Sequence, residues 1–228
     1  MSGALLYLLL LLIPAMVMHE VAHGLVAHWL GDETAKNAGR LTLNPLKHVD
    51  RFGSVMLPLV LAAGQIATIG HVQFLYGWAK PVPINPLNLQ INGVKNPRRW
   101  MAIVAFAGPA TNLLLALTAG FALHGDVGLV YLFFFMQINL LIGIFNLIPL
   151  PPMDGGRIAV GVLPLPLARM LAQSERLGIF LVLGLLFILP VVMQQFGVRF
   201  DPFQDAMRFI LPYAEHIVLL VTGNLIGN

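Results

Sequence analysis

The chain has no cysteine and very few charged residues. None of its 228 residues is a cysteine, which excludes disulfides, thiolate metal ligands and a cysteine nucleophile. Any metal site must therefore use nitrogen and oxygen ligands. Only 10% of the residues are charged and 58% are hydrophobic, whereas soluble domains carry about 25% charged residues. This balance is typical of an integral membrane protein whose apolar segments cross a bilayer.

The same composition limits the domain organisation and the partners. Long apolar runs occupy most of the chain, so we expect one integral-membrane domain over residues 1–228, embedded in the lipid bilayer. Its core is predicted at about 5–160, with additional helices at 161–228. The net charge is only +3, and the basic residues resemble membrane topology signals rather than a nucleic-acid surface. The sequence does not indicate an oligomeric state.

The apolar runs predict an all-α polytopic membrane protein with about five full transmembrane helices. By residue number, the predicted spans are 5–30, 100–123, 129–148, 177–192 and 209–226. A further apolar run at 55–69 has about fifteen residues, which is short for a full crossing, and it contains Pro58. We expect this run to form a short re-entrant or interfacial segment.

Two polar stretches lie between the predicted spans. The alternation in residues 31–54 predicts a short strand and a turn at Asn44-Pro45. In residues 72–96, closely spaced prolines block helix formation and favour extended backbone, and Asn92-Gly93 predicts a turn. The resulting small extended hairpin loop is either a rigid connection or an edge that holds a substrate strand by β-augmentation.

The most informative motif is His19-Glu20-Val21-Ala22-His23, which lies inside the first apolar run. Residues four apart share one face of a helix, so both imidazoles can point at one metal ion. Glu20 can then take a proton from a water on that ion. Polar groups in a membrane helix are costly and are therefore functional by default. The alternative is a structural histidine pair, which would still need polar partners.

Asp154 is the predicted third metal ligand. A catalytic zinc site uses three protein ligands and keeps one position open, and the two histidines supply two. Asp154 follows three prolines that end the predicted span at 129–148, and Gly155-Gly156 comes next. We therefore expect it on unwound chain at a helix end, where it completes a site for one Zn²⁺ per chain. It reaches the histidines only if residues 55–69 do not cross the membrane fully.

The distribution of basic residues tests that arrangement. If residues 55–69 do not cross, eleven of the 13 basic residues lie on one side and only Arg199 and Arg208 lie opposite. If they do cross, the division is six against seven. The positive-inside rule favours the first arrangement. It places the amino terminus outside and opens the site towards the cytoplasm, with His19 on the order of 16 Å inside along a helix of 1.5 Å rise per residue.

Two further motifs complete a pattern that resembles a known family. Asn112 follows Gly108-Pro109 by less than a turn. It is either a functional amide or part of a packing kink in which it bonds a freed carbonyl. Asn146 and Pro149 run into Asp154. Together with the histidine motif, these residues resemble the three signatures of the site-2 protease family, the M50 intramembrane zinc metalloproteases. The resemblance covers about residues 10–160 and is to the small bacterial type without PDZ or CBS domains.

The resemblance implies a role for each of these residues. His19, His23 and Asp154 are expected to bind zinc and Glu20 to act as the catalytic base. Asn112 and Asn146 are expected to hold the substrate or the oxyanion.

The resemblance also implies a function and a location. The expected reaction is hydrolysis of peptide bonds within or near the transmembrane segment of a single-pass membrane protein, as in regulated intramembrane proteolysis. The expected location is the bacterial inner membrane. The alternative is a non-catalytic metal-binding adaptor or a metal transporter. A transporter would need polar groups spread through several spans, and an inactive adaptor would not need Glu20.

Overall fold

The computed structural model describes residues 2–70, 72, 77–89, 96–125 and 128–224. Within these ranges the protein is helical and contains no β-strand. The α-helices are α1 (Ser2–Trp29), α2 (Thr34–Asn37), α3 (Leu57–Ile69), α4 (Pro97–Ala122), α5 (Leu129–Asn146), α6 (Asp154–Val162), α7 (Leu165–Gln173), α8 (Glu175–Leu183), α9 (Leu189–Gln195) and α10 (Pro202–Val221). Shorter 3₁₀ turns cover Pro45–His48 and Pro86–Asn88, and π-helical turns cover Arg51–Met56 and Gly184–Ile188.

The central helix of the described structure is α4. It packs against α1, α5 and α6. One buried apolar cluster joins Ala116 and Ala119 of α4 to Met136 and Leu140 of α5 and to Val218 of α10. Small residues at such an interface let helices approach closely, which is how helices pack in lipid without a hydrophobic driving force. The close packing of α4 brings α1 and α6 to its other faces.

Three helices in the described ranges are long and apolar enough to cross a membrane: Leu10–Trp29 within α1, and the whole of α4 and α5. The predicted short segment at 55–69 corresponds to α3, which has 13 residues. The predicted span at 177–192 is divided among α8, a π-helical turn and α9, with Gly184 and Pro190 near the two breaks. The total of five full spans stays a prediction.

The short strand predicted within residues 31–54 is wrong. This stretch forms α2, a 3₁₀ turn and the start of a π-helical turn. The side chains of Asn44 and Asp50 accept the backbone N–H groups two or three residues further on, and such local bonds close turns in competition with strand pairing. The expected turn at Asn44-Pro45 is confirmed, because the 3₁₀ turn begins at Pro45 with Asn44 as its cap.

Residues 77–89, called here the proline segment, run alongside the end of α1. Apart from the turn at Pro86–Asn88 the segment has no regular structure, as its prolines predict. Gly24 of α1 permits the close approach, because a Cβ there would lie 2.9 Å from Val82 Cγ1. The Arg40 guanidinium donates to the Lys80 carbonyl at 2.5 Å. The hairpin turn predicted at Asn92-Gly93 lies outside the described residues.

Asp32 fastens the far end of the proline segment. Its fully buried carboxylate accepts the Asn85 N–H at 2.6 Å, the Asn88 amide at 3.0 Å and the Thr34 N–H at 3.0 Å. Burial alone would raise the pKa of Asp32, but the hydrogen bonds from Thr34, Asn88 and Asn85 outweigh it and hold that pKa below its usual value. The proline segment is therefore anchored to α1 by an ionised carboxylate.

We expect Asp32→Ala to loosen the proline segment. A hydrogen bond to a charged group contributes about 1.5–3 kcal/mol, so the substitution should lower the free energy of unfolding by at least about 2 kcal/mol. It should also expose residues 77–89 to limited proteolysis in detergent. Asp205→Ala, which removes an exposed carboxylate on α10, is the control and should leave both readouts unchanged. Equal protease resistance in wild type and Asp32→Ala would refute this anchoring role.

The contribution of Asp32 should depend on pH in one direction. A carboxyl group whose pKa is lower in the folded state stabilises the fold fully above its unfolded pKa, about 3.9. That stabilisation is lost as the pH falls through the folded pKa. The difference in unfolding free energy between wild type and Asp32→Ala should therefore be constant from about pH 5 to pH 8 and shrink in stronger acid, as measured by denaturation at each pH.

Candidate metal centre

The structure brings three of the predicted site residues together. His19 and His23 lie one turn apart on α1, and Asp154 is the first residue of α6. The two Nε2 atoms are 3.0 Å apart, and Asp154 Oδ2 lies 3.1 Å from one and 3.2 Å from the other. All three residues are at most 7% exposed. We call this group the acceptor cluster, because the two Nε2 atoms and the Asp154 carboxylate are hydrogen-bond acceptors when the imidazoles are neutral.

The outer nitrogen of each imidazole fixes which nitrogen carries the proton. His23 Nδ1 lies 2.7 Å from the Val104 carbonyl oxygen. A carbonyl oxygen can only accept, so this Nδ1 must donate. His19 Nδ1 lies 2.6 Å from Asn112 Oδ1, and it donates as well because the oxygen of that amide, and not its nitrogen, faces the ring.

Backbone carbonyls settle the orientation of the Asn112 amide. Asn139 Nδ2 donates to the Phe135 carbonyl at 2.8 Å, so Asn139 Oδ1 must face Asn112. Asn112 Nδ2 donates to that oxygen at 2.9 Å and to the Ala15 carbonyl at 3.5 Å. Asn112 Oδ1 therefore faces His19 and accepts its Nδ1–H. Both asparagines are fully buried, so this chain of bonds has no competing water.

When both imidazoles are neutral, as metal binding requires, the three residues form a cluster of acceptors without a donor among them. With protons on both Nδ1 atoms, the two neutral imidazoles present lone pairs at Nε2, and Asp154 adds a carboxylate oxygen. Three buried acceptors within 3.2 Å of one another are unfavourable unless a proton or a metal cation lies between them. Two nitrogens and one oxygen match a catalytic zinc site with its fourth position open. The residues present therefore fit zinc.

Gly108 of α4 lets the helix backbone lie against both rings. A Cβ at this position would be 2.5 Å from His19 Cε1 and 2.5 Å from both Cε1 and Nε2 of His23. No side chain fits there without moving the imidazoles. The predicted Gly108-Pro109 bend does not end the helix, since α4 continues from Pro97 to Ala122.

Two glycines place Asp154. A Cβ on Gly155 would lie 2.3 Å from the carbonyl oxygens of Leu147 and Ile148, and one on Gly156 would lie 2.6 Å from the Pro151 nitrogen. The first turn of α6 thus packs directly on the backbone that precedes it. Asp154 was predicted on unwound chain, but the unwound part is residues 147–153 and Asp154 is the first residue of α6. A helix can begin there because no proline follows Pro152 in this stretch and because Gly155 and Gly156 allow α6 to contact the preceding backbone.

Glu20 lies beside the acceptor cluster and is held by a distant segment. It is half-buried, and its Oε2 accepts the Val82 N–H at 3.0 Å. The proline segment therefore reaches the predicted base. The sequence contains no signal for this contact, because 62 positions separate the two residues.

The two predicted substrate-binding asparagines differ in their surroundings. Both amide hydrogens of Asn112 point at protein oxygens, so the geometry supports orientation of His19 rather than donation to an oxyanion. Asn146 Nδ2 donates to the Ile142 carbonyl at 3.0 Å within its own helix, and its contact with substrate stays a prediction. Asn139 was missed as a site residue, although a polar side chain in an apolar span is a signal for function.

Comparison with known proteins finds similarity to one family of peptidases. A model described as "Peptidase family M50" matches residues 122–191, which include Asp154. "Putative zinc metalloprotease YwhC" of Bacillus subtilis (strain 168) is 39% identical over 198 residues, covering 81% of each chain. "Putative zinc metalloprotease Rip2" of Mycolicibacterium smegmatis is 31% identical over 191 residues, covering 80% of this chain and 66% of the relative. No solved structure matches the chain.

Gly108→Ala should abolish zinc binding, because the added methyl group displaces both imidazoles. Gly184→Ala is the matched control, since a Cβ there meets no atom within 4 Å. Zinc content per chain, measured by elemental analysis after purification, should be near zero for the first variant and equal to wild type for the second. Full zinc occupancy in Gly108→Ala would show that the cradle is not required.

Asn112→Ala should weaken zinc binding by about 10–100-fold, the usual effect of losing a group that orients a metal-ligating histidine. Asn146→Ala should leave zinc affinity unchanged, because its amide bonds only a carbonyl of its own helix. Competition with a chromophoric chelator measures both affinities. Equal affinity of Asn112→Ala and wild type would contradict the orientation of His19 through Asn112.

Proposed function

This chain belongs to peptidase family M50 and is a metalloprotease of the integral-membrane type, and from that premise we propose that it hydrolyses peptide bonds within or near the transmembrane segments of single-pass membrane proteins. The observation that carries this proposal is the position of the acceptor cluster. His19 and His23 are buried on a helix that is long and apolar enough to cross a membrane. A peptide bond cleaved there must come from a segment that enters the bilayer.

Each residue of the cluster has a defined task. His19, His23 and Asp154 would hold one zinc ion per chain. Zinc, when bound, supplies a Lewis acid that polarises a carbonyl and lowers the pKa of water. The Val104 carbonyl and the Asn112 amide hold the two Nδ1–H groups, so that both Nε2 atoms face Asp154 and would be available to the ion.

Glu20 moves the proton. Val82 N–H holds Oε2, which leaves Oε1 to accept a proton from the attacking water and return it to the leaving amine. General acid–base catalysis of this kind contributes about 10²–10⁴ in rate. Asn146, at the end of α5, is the proposed contact for the substrate strand.

The distribution of charge supports one orientation. Eleven of the 13 basic residues lie on one side if α3 does not cross, and the positive-inside rule then places that side in the cytoplasm. We place the protein in the bacterial inner membrane with the site open to the cytoplasm. The presence of Glu20 beside the acceptor cluster favours hydrolysis over a non-catalytic adaptor or a transporter.

The test is a cleavage assay in detergent with tagged single-span substrates, in which Glu20→Gln and Asp154→Asn are compared with wild type. Glu20→Gln should keep one zinc per chain and lose at least about a hundredfold in rate, because the carboxylate is a base and not a ligand. Asp154→Asn should lose most of its zinc, and a chelator should stop wild-type cleavage. Cleavage retained in Glu20→Gln would remove its role as base, and full zinc in Asp154→Asn would remove the third ligand.

A further inference from the structure

A cavity of about 520 Å³ lies between the proline segment and α6. Residues 81–84 and Pro86 form one wall, and Gly156, Arg157 and Val160 of α6 face them. Arg98 and Met101 of α4 line it as well. We call it the arginine cleft. Its volume falls in the range of ordinary ligand pockets, about 300–1,000 Å³.

The arginine cleft opens beside the acceptor cluster. Val82 lines the cleft and also donates to Glu20. Gly156 lines it two positions after Asp154. A peptide whose scissile bond lies at Glu20 and Asp154 would therefore continue into this cleft.

The wall of the cleft offers few main-chain donors for strand pairing with that peptide. Within residues 80–85, positions 81 and 83 are prolines without an N–H. Lys80 donates to the His48 carbonyl, Val82 to Glu20 and Asn85 to Asp32. Only the N–H of Ile84 remains uncommitted in this stretch. Side chains that line the cleft can therefore contribute to recognition.

Among the described residues, two charged side chains line the cleft, and both are arginines, Arg98 and Arg157. Arg98 is half-buried, and its Nη1 donates to the Leu163 carbonyl at 3.0 Å. That bond fixes the guanidinium in the first turn of α4 and uses one of its five N–H donors. Arginine in such a setting suits a carboxylate, which it can bind through two parallel hydrogen bonds.

We propose that the arginine cleft binds an acidic side chain of the substrate, so that this protease prefers segments with Asp or Glu near the scissile bond. Residues 82–86 cover about 13 Å at 3.3 Å per extended residue, which places the acidic residue within about four positions of that bond. This inference rests on the proposed proteolytic function. A peptide is favoured over a lipid headgroup because the cleft continues directly from Glu20.

The test uses one cleavable single-span substrate in which each of the four positions on either side of the cleaved bond is Asp, Asn or Lys in turn. The readout is kcat/KM in detergent without added lipid. At one position, wild type should cleave the Asp substrate at least about tenfold faster than the Lys substrate, which corresponds to about 1.4 kcal/mol. Arg98→Gln should remove this preference, and Arg98→Glu should reverse it towards Lys.

Arg99→Gln is the matched control, because Arg99 is the exposed neighbour on the same turn and its removal changes the net charge equally. It should keep the wild-type preference. Arg98→Lys should keep the preference in part, since the charge stays. Zinc content equal to wild type confirms that each variant is folded.

Three outcomes would overturn the proposal. One is cleavage by wild type without preference for an acidic residue, or a preference that survives in Arg98→Gln; the proposed protease function would then stand alone. Another is an effect of Arg98→Gln that is equal for all substrates and appears only in vesicles with anionic lipid, which would assign the cleft to a lipid headgroup. The last is no cleavage of any substrate by zinc-loaded wild type, which would overturn the proposed function together with this inference.

Discussion

The candidate site depends on three buried acceptors that the surrounding helices hold close together. The lone pairs of His19 and His23 and a carboxylate oxygen of Asp154 meet at a point where water is largely excluded. Such an arrangement is unfavourable until a cation occupies it. The Val104 carbonyl of α4 fixes the outer side of the His23 ring, and the Asn112 amide fixes that of His19. Asn112 is held in turn by the Ala15 carbonyl of α1 and by Asn139 of α5.

The positions of the three ligands also depend on glycines in the neighbouring helices. Gly108 brings the backbone of α4 against the imidazoles, while Gly155 and Gly156 seat the start of α6 on the turn before it. In each case the helix lies closer to the neighbouring imidazoles or backbone than it could if the glycine carried a side chain. The ligands are thus placed by backbone contacts, which vary less than side-chain rotamers do.

The metal-binding residues of the site can be predicted from the sequence, whereas the hydrogen bonds that hold them in place cannot. The histidine pair and Asp154 are predictable because few residue types bind zinc and because polar residues in apolar runs stand out. The strand predicted in residues 31–54 is wrong because short side chains such as Asp50 accept hydrogen bonds from nearby backbone N–H groups and close turns instead. The partners of Asn112, which are Asn139 and the Ala15 carbonyl, could not be predicted because they depend on packing between helices. The contact between Val82 and Glu20 likewise depends on tertiary structure.

That last contact sets the register of the whole proline segment. Val82 has a proline on either side, so a loop longer or shorter by one residue would present Glu20 with a ring nitrogen that carries no hydrogen. The alignment of residues 81–83 with Glu20 therefore tolerates no shift by one residue. A segment exchanged with that of a relative would need to keep an N–H opposite Glu20, whatever its other side chains.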